Sequence, residues 1–168
     1  MELNNLKTAS YYIKQLELLN HPEGGYFKEI YRDLELCAPL NFPGSRNYST
    51  AIYYLLEKGD FSCFHRIKSD EVWHHYDGGC THIYYLKNEE LITLKLGKNM
   101  EEGESMVCVV PKNTWFAAEL APDCEYALMG CTVAPGFDFN DFEMATQTDL
   151  PPIKPSDEKL VKRLIKTF

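Results

Sequence analysis

One histidine and one glutamate stand at a spacing that could place an imidazole beside a carboxylate. Five residues separate His65 from Glu71, five also separate Gly59 from His65, and six separate Glu71 from Gly78. A carboxylate near an imidazole orients the ring and raises its pKa toward neutral pH. A histidine held in this way can act as a general acid or base. We therefore predict His65 as a proton-transfer base and Glu71 as the group that orients it.

Both residues lie in segments with the alternation of apolar and polar residues that is typical of β-strands. Along the first segment, alternation puts Cys63, His65 and Ile67 on one face. Along the next segment, Glu71 shares its face with Trp73. The chemistry of the pair depends on a fold that turns these two faces toward each other.

The rest of the chain predicts many short strands, separated by Gly, Asn, Pro and Asp residues. The strands are expected at residues 26–32, 49–56, 61–68, 71–76, 81–87, 91–96, 105–110, 114–120 and 126–133. Strands of this number and length are typical of an all-β sandwich or barrel. Residues 34–47 are expected to form a long connection.

A short helix is predicted at each end of the barrel. Thr8 or Ser10 can cap a helix at about residues 8–20, and Ser156 can cap a last helix with Leu164 and Phe168 on one apolar face. The length fits one domain with a real core. We expect a single domain over residues 1–168, with the barrel at about 26–145 and a linker and C-terminal helix at 146–168.

The spacing of glycine, histidine, glutamate and glycine is that of the first motif of the cupin superfamily. The sequence resembles a single-domain cupin subfamily of unknown function over roughly residues 10–145. Other blocks carry the resemblance in the same order: His21-Pro-Glu-Gly-Gly25-Tyr-Phe, Ser49-Thr-Ala-Ile-Tyr53-Tyr-Leu-Leu, Val110-Pro-x-x-x-Trp115-Phe and Gly130-Cys-Thr-Val-Ala-Pro-Gly136-Phe. The resemblance implies a double-stranded β-helix, or jelly-roll barrel, with His65 and Glu71 facing inward. It also implies a homodimer.

The resemblance is incomplete where cupins hold a metal. Ile67 replaces the second histidine of the first motif, and Phe116 stands where the second motif has its histidine. A catalytic metal wants at least three protein ligands, and His65 and Glu71 alone do not supply them. We predict no metal and no cofactor, and we disfavour a metal-dependent oxygenase. The alternative is a weak site that Cys63 completes together with a further histidine.

The cupin superfamily includes metal-free sugar-nucleotide epimerases that use a histidine base and a tyrosine acid. The sequence is similar to them in keeping a histidine without a full metal shell, which favours an isomerase or epimerase acting on a sugar or sugar nucleotide. The acid is left open among Tyr31, Tyr53, Tyr54, Tyr84, Tyr85 and Tyr126. One alternative is a non-catalytic module that binds a sugar, a nucleotide or a related metabolite. Others are a structural dimer with a vestigial pocket and a buried His–Glu pair that only fixes strand register.

Several further residues are candidates for the pocket wall. Trp73 and Trp115 could stack on a ligand, although both could equally be core aromatics. His74 alternates away from the pocket and would need a β-bulge to reach it. The apolar or weakly polar candidates are Cys63, Ile67 and Phe116.

Composition excludes several partners. The formal net charge of −8, with only one short basic stretch at residues 159–163, argues against a nucleic-acid partner. No apolar run approaches the ~20 residues of a membrane span, and the N-terminus lacks the features of a signal peptide. Six cysteines without a Cys-x-x-Cys pair favour reduced thiols in a cytoplasmic protein.

Overall fold

The computed structural model describes residues 7–166 and has antiparallel β-sheets as its main element. The all-β jelly-roll class and the two short helices predicted from the sequence are confirmed. In chain order the strands are β1 (Leu19–Asn20), β2 (Tyr26–Arg32), β3 (Leu36–Cys37), β4 (Arg46–Asn47), β5 (Thr50–Glu57), β6 (Phe61–Arg66), β7 (Asp70–Gly78), β8 (Thr81–Lys87), β9 (Glu90–Leu96), β10 (Val107–Val110), β11 (Phe116–Leu120), β12 (Tyr126–Ala134) and β13 (Glu143–Met144).

Two sheets enclose the core. One has six strands in the order β1-β2-β5-β12-β7-β10, and the other has five in the order β13-β6-β11-β8-β9. Between them lies an apolar cluster to which both sheets contribute buried side chains, among them Tyr54, Trp73, Ile83, Phe116 and Met129. The predicted long connection at 34–47 contains a small hairpin, because β3 and β4 pair with each other.

The helices cover the outer faces of the two sheets. Helix α1 (Ala9–Leu16) begins after Thr8, whose side-chain oxygen accepts a hydrogen bond from the Tyr11 N–H at 3.2 Å. It packs through Tyr12 against Leu55 and Leu128 on the outside of the six-stranded sheet. It ends earlier than predicted because Glu17 adopts the left-handed conformation, after which Leu19–Asn20 form β1.

Helix α2 (Glu158–Arg163) covers the five-stranded sheet. Its Val161 and the following Leu164 are buried in a second apolar cluster with Phe64 and Trp115. Asp157, and not the predicted Ser156, occupies the N-cap. The predicted apolar contact of Phe168 lies outside the described residues. Neither helix within residues 7–166 has the length and apolar character to cross a membrane.

The cysteines carry free thiols. Cys63, Cys108 and Cys131 are buried, whereas Cys37, Cys80 and Cys124 are partly exposed. The sequence predicted buried thiols, and three of the six cysteines are buried. The cytoplasmic location stays a prediction.

Candidate functional site

A cavity of about 280 Å³ lies inside the barrel against the inner face of the six-stranded sheet. Strands β2, β5, β7 and β12 supply most of its wall, β6 closes the opposite side, and residues 136–142 lie along its rim. The wall consists of His21, Glu23, Phe27, Glu29, Arg32, Thr50, Ile52, Tyr54, His65, Ile67, Glu71, Cys131, Val133, Phe137, Asp138, Phe139 and Phe142. Three of the residues predicted for the site, His65, Ile67 and Glu71, thus share one cavity.

Glu23 is a central residue of the cavity that the sequence analysis missed. It lies in a tight turn in which the His21 N–H donates to the Gly25 carbonyl at 2.9 Å. The turn fits against strand β6, since a Cβ atom at Gly24 would collide with the Phe61 carbonyl oxygen. The two glycines allow the tight turn that brings Glu23 and His21 into the wall.

A β-bulge in β6 decides which of its side chains face the cavity. In the pairing with β11, Phe116 lies opposite His65 and Ala118 lies opposite Ser62, so β6 contains one extra residue. Ser62 and His65 therefore both turn inward, and both contact Glu23. The Ser62 hydroxyl donates to Glu23 Oε1 at 2.9 Å, and His65 Nε2 lies 3.2 Å from Glu23 Oε2.

The geometry of His65 requires a proton between its ring and Glu23. His65 Nδ1 lies 2.7 Å from the Cys63 carbonyl oxygen, which can only accept, so Nδ1 carries a hydrogen. In a neutral ring Nε2 then presents a lone pair to the carboxyl of Glu23. Burial raises the pKa of Glu23 and lowers the pKa of His65 to about 4. Burial thus disfavours the charged form of each group, and the Glu23 carboxyl group lies against the ring nitrogen Nε2.

His21 completes this corner of the cavity. Its Nδ1 accepts a hydrogen bond from the Glu23 backbone N–H at 3.3 Å, so in the neutral ring the hydrogen is on Nε2. Burial lowers the pKa of His21, and the neutral form dominates at pH 7. His21 thus offers the cavity a neutral N–H donor.

Glu71 faces the cavity from the middle of the six-stranded sheet. Its strand pairs on both sides, with Val110 and Val133 opposite it, and only 8% of the residue is exposed. Burial first, and then the nearby Glu23 carboxyl, raise the pKa of Glu71 to about 8. The Cys131 thiol and the Trp73 indole lie beside the carboxyl and oppose this rise. Glu71 is therefore mostly protonated at pH 7.

The expected His65–Glu71 contact is replaced by the His65–Glu23 contact. Within residues 7–166, no hydrogen bond or ion pair joins His65 to Glu71. The reason is topological: His65 lies in the five-stranded sheet next to the turn that carries Glu23, whereas Glu71 lies in the other sheet. The orienting role predicted for Glu71 belongs to Glu23.

The rim segment, residues 136–142, adds aromatic rings to the wall. Phe137, Phe139 and Phe142 make edge-to-face contacts with centroids 5.0 to 6.0 Å apart. The His21 ring lies nearly parallel to Phe139 at 6.4 Å. A buried two-pronged ion pair holds the segment, with Arg46 Nε 2.6 Å and Nη2 2.9 Å from the Asp141 carboxyl oxygens.

Two of the predicted pocket residues lie one layer behind the wall. Trp73 and Phe116 are each only 1% exposed, and they contact each other at 6.3 Å between ring centroids in the core between the sheets. The Phe116 ring lies 4.0 Å from the His65 ring and supports it from behind. The prediction that Trp73 and Phe116 contact a ligand is wrong, because both side chains are buried in the core between the sheets.

Three other candidates point away from the cavity. Cys63 belongs to the bulge, and its thiol lies 3.9 Å from the sulfur of Met144. Trp115 packs outside the five-stranded sheet with the Arg66 guanidinium 4.4 Å from its ring. His74 lies on the outer face of β7, where its Nε2 is 3.2 Å from the Thr132 hydroxyl. No bulge carries it inward, since the irregularity between β7 and β12 falls after His75.

Tyr54 is the tyrosine from the predicted set that lines the cavity. Its hydroxyl donates to the Gly24 carbonyl oxygen at 2.7 Å, and burial holds its pKa well above the ordinary value. The other candidates lie elsewhere: Tyr31 bonds Asp33, Tyr84 bonds Glu119, Tyr53 and Tyr126 pack near α1, and Tyr85 packs against the core.

No group of three His, Cys, Asp or Glu side chains within residues 7–166 is arranged to hold a metal ion. The alternative in which Cys63 completes a site with His65 and Glu71 does not fit the position of the thiol. The absence of a metal and of a cofactor in the working protein stays a prediction.

Comparison with known proteins establishes the family. The family model described as Cupin superfamily (DUF985) matches residues 10–145. The chain belongs to the cupin superfamily. Its relatives include the uncharacterized protein YML079W of Saccharomyces cerevisiae, which is 32% identical over 142 residues, or 77% of this chain and 71% of the yeast protein.

Two solved structures share both sequence and fold with this cupin. A hypothetical protein from Leishmania major is 31% identical, with a TM-score of 0.88 over 96% of this chain and 100% of that one. Protein SO0799 from Shewanella oneidensis is 35% identical, with a TM-score of 0.86 over 97% of this chain and 100% of that one. These relatives support the cupin family and fold, and their names specify no reaction.

Proposed function

We propose that this cupin is an acid–base enzyme of the isomerase or epimerase kind, which acts on a small polar molecule through the carboxyl group of Glu71. One observation carries the proposal: Glu71 is a buried carboxyl group in the wall of a cavity, and within residues 7–166 it has no cationic partner. Burying such a group without a partner destabilises the fold. Groups with this kind of shifted pKa cluster at functional sites.

The position of Glu71 suits proton transfer at neutral pH. A general base works best when its pKa lies near the working pH, and burial brings the pKa of Glu71 to about 8. In the proposed step, ionised Glu71 takes a proton from the carbon next to a substrate carbonyl. The negative charge that develops on the carbonyl oxygen accepts a hydrogen bond from His21 Nε2. For epimerisation, the intermediate turns over in the cavity and Glu71 returns the proton to the opposite face of the same carbon. For isomerisation, Glu71 returns the proton to the former carbonyl carbon, while the proton of the neighbouring hydroxyl passes to the former carbonyl oxygen.

His65 has a positioning role in this proposal and is not the base predicted from the sequence. Both of its ring nitrogens are occupied, Nδ1 by the Cys63 carbonyl and Nε2 by Glu23. The Tyr54 hydroxyl is likewise occupied by the Gly24 carbonyl, which makes it a poor acid. Glu71 and His21 are left as the groups that can exchange a proton or a hydrogen bond with a ligand.

Solvent deuterium exchange tests the proposal without knowledge of the product. The protein is incubated in D₂O with small aldoses, ketoses, amino sugars and 2-oxo acids, and deuterium at the carbon next to the carbonyl is measured by mass spectrometry. We expect one class to exchange with the wild type and with Glu125→Gln, a control at an exposed ion pair with Lys58. Glu71→Gln should abolish the exchange. Equal exchange by Glu71→Gln, or no exchange in any class, would contradict the proposal.

The second candidate is a non-catalytic binding protein. It is favoured by the saturation of His65 and Tyr54 with protein hydrogen bonds, which leaves few groups free for chemistry. A compound that stabilises the protein in a thermal-shift assay and never exchanges its protons would support this candidate. A pocket that takes no small molecule would support a structural role.

A further inference from the structure

The cation in the wall of the cavity is already paired. Arg32 Nε and Nη2 donate to the two carboxyl oxygens of Glu29 at 2.9 and 2.7 Å. Its Nη1 donates to Asn47 Oδ1 at 2.8 Å and to the Phe137 carbonyl oxygen at 3.2 Å. A phosphate or carboxylate ligand would have to displace these bonds to gain a guanidinium partner. Arg32 is therefore a poor anchor for an anion.

The remaining ionisable groups of the wall are acids or neutral rings. Besides Glu29, the carboxyl groups of Glu23, Glu71 and Asp138 face the cavity, while burial lowers the pKa of His21 and of His65. Lys166 influences His21 from outside the wall, and its ammonium group lies 2.8 Å from the Pro22 carbonyl oxygen. The cavity thus offers an anionic ligand little compensation, whereas a cation beside Glu71 would favour the ionised form of that carboxyl group.

The apolar part of the wall is aromatic in a way that suits a cation. The rings of Phe137, Phe139 and Phe142 contact one another edge-to-face at the rim, and Phe27 lies 4.5 Å from the His21 ring. Ring faces of this kind attract ammonium and methylated ammonium groups. Aromatic rings and a carboxyl group that line one cavity are two elements that bind organic cations.

We propose that the ligand of this cavity is a small organic cation, with an ammonium or methylated ammonium group among the rim phenylalanines and a polar group directed to Glu71. The inference rests on the proposed function in that it uses the same cavity, and it names the substrate class. A site for cations disfavours the sugar nucleotides predicted from the sequence, because their phosphates are negatively charged. Their size also exceeds a cavity of about 280 Å³, which lies just below the usual range of about 300–1,000 Å³.

Binding of a cation should also become stronger as the pH rises. A positive ligand favours the ionised form of Glu71, so affinity increases as that carboxyl loses its proton. The groups that face Glu71 or border it are Glu23 from the turn, His65 and Ser62 from β6, Tyr54 from β5, and Cys131 from β12. Burial raises the pKa of Tyr54 and of Cys131 well above their ordinary values, so neither ionises below pH 9.

Choline and its neutral carbon isostere dimethylbutanol form a matched pair of probes, with inorganic phosphate as the anion. Ligand-observed NMR on the full chain should detect choline and neither of the other two. Phe139→Leu keeps the rim apolar and removes one ring, and it should weaken choline binding at least about threefold. Wild type should bind choline at least about threefold more tightly at pH 9 than at pH 6, and Glu71→Gln should lose this dependence.

The outcomes separate the ligand class from the reaction. Equal binding of dimethylbutanol, tighter binding of phosphate, or no binding of choline would each overturn the cation proposal. Deuterium exchange on a neutral or anionic compound in that case would leave the acid–base proposal standing. Choline binding without deuterium exchange on any amine would support the cation proposal and contradict the acid–base proposal. Unchanged pH dependence in Glu71→Gln would overturn the part assigned to Glu71.

Discussion

At the scale of single residues, two buried carboxyl groups inside one barrel differ in their partners. Glu23 contacts His65, whose other ring nitrogen is fixed by the Cys63 carbonyl. Glu71 has no histidine or other cation beside it within residues 7–166, and burial raises its pKa to about 8. Its proton is the one that can be exchanged with a ligand. That difference is why we assign chemistry to Glu71 and positioning to Glu23.

The burial of Glu71 should be visible as a loss of stability at higher pH. Below pH 4.5, Glu71 is protonated in both the folded and the unfolded chain, so its burial does not lower the free energy of unfolding through ionisation. As the pH rises from 4.5 toward 8, only the unfolded chain ionises, and this stabilises the unfolded state relative to the folded one. Glu71→Gln removes this penalty. We expect the variant to be more stable than wild type by about 4 kcal/mol at pH 8, and by little at pH 4, in urea unfolding. A difference that does not grow with pH would contradict the shifted pKa.

Glutamine should replace Glu23 with little loss, because its amide mimics a protonated carboxyl group. It can accept from Ser62 through its oxygen and donate to His65 Nε2 through its nitrogen. We expect Glu23→Gln to cost less than about 1 kcal/mol and Glu23→Ala about 2–3 kcal/mol in unfolding at pH 7. A cost of about 3–5 kcal/mol for the glutamine variant would indicate a buried ion pair instead.

The sequence predicted part of this site and missed the rest for a physical reason. Alternation along β6 and β7 is a local property that grouped His65 with Ile67, and the cupin resemblance implied that His65 and Glu71 face inward. Glu23 comes from a turn far away in the chain, and its approach depends on two glycines that only the packed fold explains. Polar residues beside such a pair of glycines are the signal that could have found it.

At the scale of elements, one bulge and one buried ion pair shape the cavity. Strict alternation failed in β6 because the extra residue turns Ser62 inward and Cys63 outward. Alternation held in β7, where Glu71 and Trp73 share a face as predicted. The strand predicted at 114–120 includes Trp115, but β11 begins only at Phe116, and Trp115 packs outside the sheet. Regular strands can thus be predicted from pattern, whereas irregularities depend on tertiary contacts.

The rim segment should depend on the Arg46–Asp141 pair. Both side chains are buried, so Asp141→Ala leaves the guanidinium of Arg46 with its bond to the Ser45 carbonyl, the Phe42 ring at 5.7 Å and the more distant Asp138 charge. We expect a loss of about 3–5 kcal/mol in stability, together with faster hydrogen exchange over residues 136–142.

Glu143→Gln is the matched control for that experiment. It breaks the ion pair with Arg66, whose partners are 40% and 52% exposed, and should cost at most about 1 kcal/mol. Similar losses in the two variants, or unchanged exchange in the rim segment of Asp141→Ala, would show that the buried pair does not hold the segment.

At the scale of the whole molecule, the outer face of the six-stranded sheet is only partly covered by α1. Away from the helix, Tyr76, Val107 and Val109 are 46%, 48% and 50% exposed, and β10 is the edge strand there. Exposed apolar surface of this kind is typical of an interface. The homodimer expected from the cupin resemblance stays a prediction, and this face is where we expect it to form.

Val109→Asp should convert a dimer into a monomer if this face is the interface. Its control is Leu40→Asp, which adds the same charge at a site 88% exposed in the connection between β3 and β4. Light scattering after size-exclusion chromatography gives the mass. A wild-type monomer, or a dimer that survives Val109→Asp, would contradict the prediction.

Titration of the Glu71 carboxyl group by carbon-13 NMR tests the central claim most directly. Assignment comes from the resonance that disappears in Glu71→Gln. A midpoint near 8 is the result that the buried, unpaired carboxyl requires. A midpoint near the ordinary 4.5 would mean that Glu71 is solvated or paired with a cation, and it would contradict the proposed role in proton transfer.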